Sequence, residues 1–146
     1  MPSPATISRR HVFARALGVW FVLIAVEFAH GILRTIFLVP VVGDLRARQI
    51  GVFTGSILIL AVVYLLVPWL QAVETKCLIL VGVLWVVLTV TFEFTFGHFV
   101  FRRSWKDLAS DYNILRGGFL LLGLVVLLFA PVIAVWLRGG SGRADH

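Results

Sequence analysis

Four apolar runs, each long enough to cross a lipid bilayer, limit what this chain can become more than any other feature. They cover residues 16–39, 51–70, 77–101 and 114–137. A helix needs about 20 apolar residues to span the hydrocarbon core. Backbone amides surrounded by hydrocarbon must pair within their own segment, so runs of this length form helices. The alternation of a membrane β-barrel strand is missing, because the apolar residues come in blocks. Charge usage agrees: 14% of the 146 residues are charged, against about a quarter in a soluble domain. The expected fold class is an all-α integral membrane protein, a four-transmembrane-helix antiparallel bundle occupying residues 11–138. Short polar connections are expected at 43–49, 71–76 and 102–113.

The tails differ in character. Residues 1–10 are polar with two prolines, and residues 139–146 are small, charged and Gly-rich. Neither can bury apolar area, and both are expected to be disordered. Arg9 and Arg10 before an apolar stretch resemble the start of a secretory signal. The run behind them is too long for one, lacks a small-residue cleavage site and is interrupted by Glu27.

Lys/Arg placement leaves the orientation almost undetermined. Arg9, Arg10, Arg15, Lys76, Arg138 and Arg143 lie on the side of the termini, and Arg46, Arg48, Arg102, Arg103, Lys106 and Arg116 on the other, six against six. The first helix usually carries most weight, and the three arginines before it favour cytoplasmic termini. The expected location is a plasma membrane, that of a bacterial inner membrane. The net charge of +6 is spread over both ends without a basic stripe, so lipid headgroups rather than nucleic acid are its expected partners.

Sliding the chain against itself shows an internal repeat. Glu27-Phe28 matches Glu93-Phe94 and Gly31 matches Gly97 at one shift. After the first connection, Asp44-Leu45 matches Asp107-Leu108, Gly55 matches Gly118 and Pro68 matches Pro131 at a shift three residues shorter. Apolar residues match cheaply between membrane helices, so only these polar, Gly and Pro pairs count. The expectation is two duplicated helical hairpins in parallel repeat, related by an axis along the membrane normal. Gly51 and Gly55, like Ala14 and Gly18, are spaced to let helices approach closely. Pro68 and Pro131 are expected to kink or finish the second and fourth helices.

Charges at membrane depth point to the site. Glu27, His30 and Arg34 fall within about 60° on one helical face. Glu93 repeats Glu27 in the third helix, about 13 Å in from Arg102 at 1.5 Å per residue. A carboxylate there must be paired, protonated or wetted. Arg34 can serve one of the two, which leaves the other to a proton or to water. The second hairpin lacks the rest of the stripe, with Phe96 and Val100 standing where the first has His30 and Arg34. A single asymmetric site between the first and third helices is therefore expected, with Glu27, His30, Arg34 and Glu93 as ligand- or proton-handling residues. Glu27-x-x-His30 is half of a bundle carboxylate motif, but Glu93 has no matching histidine. No metal, haem or other cofactor is expected, and Cys77, the single cysteine, excludes an internal disulfide and reads as an inert small residue.

The two connections at the far end supply interfacial candidates: Asp44, Arg48, Arg102, Arg103, Asp107, Asp111, Tyr112 and Asn113. Trp105 and Tyr112 suit the headgroup level, and the basic residues suit lipid phosphates. No catalytic constellation is present, so an enzyme is the weakest reading. A proton-coupled transporter or channel-like protein leads. The alternative is a non-catalytic accessory or assembly subunit. A homodimer or a membrane-protein partner is compatible with either.

Overall fold

The computed structural model describes residues 9–70, 74–110, 112, 113, 115 and 118–142. Among them there are helices and turns and no strand. The order is α1 (Arg9–Leu33), a π-helical segment (Arg34–Leu38), α2 (Val39–Val42), α3 (Asp44–Leu70), α4 (Thr75–Phe99), α5 (Trp105–Ser110) and α6 (Leu120–Gly142). Four helical stretches are long and apolar enough to cross a membrane: Arg10–Val42, Asp44–Leu70, Thr75–Phe99 and Leu120–Gly139.

Several boundaries differ from those expected, for identifiable reasons. Helix begins at Arg9 rather than at residue 16, since nothing between them breaks it. The expected polar connection at 43–49 is almost entirely helical. Gly43 alone interrupts the chain, at φ 87°, a backbone conformation that favours glycine. Asp44 then opens α3 and pairs with Arg48 one turn on at 2.7 Å, so these polar residues support the helix instead of ending it. The fourth long helix starts at Leu120, not at 114. It runs on through Gly142, into the stretch expected to be disordered, and Pro131 is buried in its interior. Residues 1–8 and 143–146, the rest of the expected tails, lie outside the described residues.

The π segment has a local cause. Pro40 has no N–H to offer the carbonyl one turn back and its ring crowds that turn. The preceding turn widens, and the Val39 N–H reaches back five residues to the Arg34 carbonyl. Thr35 Oγ1 also donates to the Gly31 carbonyl at 2.9 Å, a bond that tends to bend helices.

Each of α1 and α6 packs against both α3 and α4. Contacts between α1 and α4 advance together along the two chains. Trp85 Nε1 donates to the Ala16 carbonyl at 2.8 Å, Trp20 Nε1 to Thr89 Oγ1 at 3.1 Å, and Phe28 meets Phe96 edge-on. Contacts between α1 and α3 run the opposite way, from Gly18 against Trp69 to Arg34 against Gly51. A close backbone approach joins α4 to α6, where a Cβ on Gly82 would run into the Leu128 carbonyl.

The packed core fills only one half of the bundle. Its large buried residues are Val12, Val19, Trp20 and Leu23 of α1, Val63, Val67 and Leu70 of α3, Leu78, Val81 and Trp85 of α4, and Leu124 and Leu127 of α6. Most lie toward the end where α1 starts and α3 stops, while Leu23, Leu124 and Leu127 border the cavity above it. Gly82→Ala is expected to destabilise this half by about 1–3 kcal/mol or more, because backbone rather than a movable side chain stands in the way. A lowered unfolding midpoint in detergent would show it, and an unchanged midpoint would refute the close approach.

Candidate functional site

The other half of the bundle is hollow. A cavity of about 1070 Å³ lies among the four long helices and is lined by Glu27, His30, Arg34 and Glu93 together. It extends to Arg48, Arg103, Lys106 and Asp107 at its mouth, and its inner wall includes Leu23, Ile59, Leu124 and Leu127. The three charged positions of α1 and its π extension reach one space because they share a helical face. Glu93 joins them because α4 lies alongside α1.

Glycines on α3 make room for these side chains. A Cβ on Gly55 would stand 2.8 Å from Glu27 Oε2, and one on Gly51 would stand 2.8 Å from Arg34 Cδ. Gly51 and Gly55, expected to serve close helix packing, are thus the floor beneath a carboxylate and a guanidinium. Arg34 Nε is covered there and has no hydrogen-bond partner; Glu27 Oε1 is likewise buried and unpartnered.

The near neighbour of Glu27 is His30, with Nδ1 3.6 Å from Oε2. That distance exceeds a hydrogen bond, and a small side-chain rotation would close it. The other ring nitrogen, Nε2, lies 2.7 Å from Thr54 Oγ1. Thr54 Oγ1 also lies 3.2 Å from the Ile50 carbonyl. Its single proton can go to that carbonyl, so that the hydroxyl accepts from Nε2–H, or to Nε2, so that Nδ1–H faces the carboxylate. Thr54 is satisfied either way. The first setting suits a protonated Glu27 and the second an ionised one. His30 can therefore be hydrogen-bonded to Glu27 in either protonation state after a small side-chain rotation and a change of tautomer, without backbone movement.

Glu93 is held differently. The chain leaves α4 through Arg102 at φ 53° and folds α5 back against the helix end. Trp105 stacks on His98 at 3.9 Å, whose Nδ1 donates to the Arg103 carbonyl at 2.9 Å. Leu108 is buried over Gly97, where a Cβ would come within 2.6 Å of its Cδ2. Tyr112 then stacks on Phe94 at 5.6 Å and donates its hydroxyl to Glu93 Oε2 at 3.4 Å. Tyr112, expected to be a headgroup-level anchor, is half-buried and turned inward. His98 is engaged by Trp105 and the Arg103 carbonyl and is not among the residues that line the cavity.

The remaining interfacial candidates divide by position. Arg48, Arg103, Asp107 and Tyr112 line the cavity, whereas Asp44, Arg102 and Asn113 do not. Asp44 is bound to Arg48, and Asn113 Oδ1 caps the Leu115 N–H. Asp111 lies outside the described residues, as does Arg116. Sequence reasoning missed Thr54 as the partner of His30, Lys106 as a lining residue, and the glycine floor. The spacing of Gly51 and Gly55 was visible, but the charged cargo beneath it was not. Among the described residues, no three His, Cys, Asp or Glu side chains form a metal-ligating group. Comparison with family models, with characterised proteins and with solved structures finds no match to this chain.

Gly55→Ala is expected to cost about 1–3 kcal/mol while Glu27 is present. In a Glu27→Ala background the same change should cost far less, since the colliding carboxylate is gone. Unfolding midpoints of the four proteins in detergent give the coupling; strict additivity would place Glu27 elsewhere.

Proposed function

We propose that the chain is a multi-pass membrane protein, built from two duplicated antiparallel hairpins, that moves protons across the membrane together with a polar or amphiphilic solute. Membrane insertion is supported by the outer surface of the helices. Phe53, Ile57, Leu65 and Trp136 are each at least 60% exposed, and a soluble protein does not display apolar area on this scale. Duplication is supported by the parallel run of α1 beside α4 and by the Glu27/Glu93 match. Cytoplasmic termini are favoured by Arg9, Arg10 and Arg15 at the start of the first long helix.

The observation that carries the functional reading is the convergence of Glu27, His30, Arg34 and Glu93 on one cavity inside an apolar bundle. Ionisable residues at such depth are costly and cluster along ion and solute pathways. The Glu27–His30–Thr54 chain accommodates Glu27 either protonated or ionised, and the proton exchanged would come from and return to the cavity that Glu27 and His30 line. Below it the packed layer from Val12 to Leu23 is about 15–20 Å of apolar side chains. No polar side chain of the described residues is buried in that layer. The cavity therefore does not reach the end where α1 starts. A continuous pore is not built, and passage requires the hairpins to rearrange, which favours a transporter over an open channel.

Purified protein in liposomes loaded with a pH-sensitive dye tests this. A proton gradient should dissipate faster than in empty vesicles, and Glu27→Gln should slow the protein-dependent rate at least tenfold. Glu93→Gln should also slow it, and Thr54→Val less so. Wild-type rates no higher than empty vesicles, or unaltered rates in both glutamate variants, would remove the transport reading.

A further inference from the structure

The cavity is layered by charge, and the layering bears on what it holds. At the mouth, Arg34 and Arg48 stand on the wall formed by α1 and α3. Arg103 and Lys106 stand on the wall formed by α5 and its approach. Among the described residues, Asp107 is the single acid lining the cavity at that level, and Asp44 partly offsets Arg48 from outside. One level in, the signs reverse: Glu27 and Glu93 line the space with His30 and Tyr112. An anion entering from the mouth meets cations first and is stopped by the carboxylates.

Unmet hydrogen-bonding capacity follows the same order. Arg34, pressed flat on Gly51, has a buried Nε that no protein acceptor satisfies, and Glu27 Oε1 has no donor. One side chain wants an acceptor and the other a donor. Side-chain donors elsewhere in this chain are largely spent on carbonyls, as Arg138 is on Tyr64 at 2.6 Å. Both atoms are covered, so a headgroup with a phosphate and hydroxyls a few atoms away would reach this guanidinium and carboxylate through their other atoms, or after a small turn off the glycine floor.

Size and surroundings favour an amphiphile over a free ion. About 1070 Å³ is at the upper end for a small-molecule site and far more than a phosphate fills. The lining of the same cavity includes Phe28, Ile32, Ile36 and Phe101, all more than 40% exposed, and these form its apolar rim. An alkyl chain can leave the cavity across that rim without crossing a polar barrier.

We infer that the cavity binds an anionic, hydroxyl-bearing phospholipid headgroup, with phosphate on the Arg34 side of the mouth, hydroxyls toward Glu27 and Glu93, and chains passing over the Phe28–Ile36 rim. The inference rests on the membrane placement proposed above but not on proton movement. Lipid bound by a protein that dissipates no gradient would sink the transport reading and leave this one standing.

The test uses full-length protein in a neutral maltoside detergent, titrated with phosphatidylglycerol or phosphatidylcholine and read by native mass spectrometry. Phosphatidylglycerol should be retained at least tenfold better, because choline carries no hydroxyl and brings a cation to a cationic mouth. Arg34→Gln should weaken retention at least tenfold. Gly51→Ala, which keeps the charge but displaces Arg34, should also weaken it. Arg15→Gln, at the opposite end, should leave it unchanged, with unfolding midpoints verifying that each variant is folded. Equal retention of the two lipids, or full retention by folded Arg34→Gln, would reduce the effect to annular lipid and overturn the site. Displacement by equimolar inorganic phosphate would overturn the lipid assignment in favour of a free anion.

Discussion

Two carboxylates sit in helices whose other residues are almost all apolar, and a carboxylate cannot be packed into hydrocarbon without a partner, a proton or water. The organisation of the molecule follows that constraint. Where α1 and α4 carry only apolar and small residues toward the bundle, their faces close on α3 and α6 around Trp20, Val67, Trp85 and Leu127. Where they carry Glu27 and Glu93, the helices do not close, and a cavity takes the place of a core. The bundle is divided into a filled half and a hollow half, and the division falls at the level of the acids.

The same constraint explains why small residues appear where they do. Gly82 brings α4 against α6 in the filled half, which is the ordinary use of glycine between membrane helices. Gly51 and Gly55 have another use, since what presses on them is the stem of Arg34 and the carboxylate of Glu27. A helix face that reads as a packing seam is here a trough for charged side chains. Trough and stripe are complementary only because α1 and α3 run oppositely, which sets Glu27 opposite Gly55 and Arg34 opposite Gly51.

The two helix pairs hold their acids differently. In the first, His30 lies between Glu27 and Thr54, and the chain turns into α3 at the single residue Gly43. In the second, Phe96 stands three residues after Glu93, and the connection is long enough to fold α5 and Tyr112 back over the helix end. Glu93 thereby acquires a phenol in place of an imidazole. Tyr112 and Glu93 stand on one wall of the cavity and Glu27 and His30 on the other, so the two acids have different surroundings.

What the sequence determined alone is what depends on neighbours within a turn or two. Long apolar runs become helices because amides without polar neighbours pair within their own segment. Glu27, His30 and Arg34 share a face because of helical periodicity. Gly43 and Pro40 shape the first connection through their own backbone limits, though the sequence did not reveal that Gly43 breaks the helix alone. Tertiary structure decided the rest, because it depends on which distant residues are set opposite each other. No local rule places Thr54 against His30, turns Tyr112 from the surface onto Glu93, or sets Trp105 over His98. None shows that Gly51 and Gly55 carry charge rather than a helix. The cavity itself belongs to no segment; it is the volume four helices leave when one end of their shared interface packs and the other cannot.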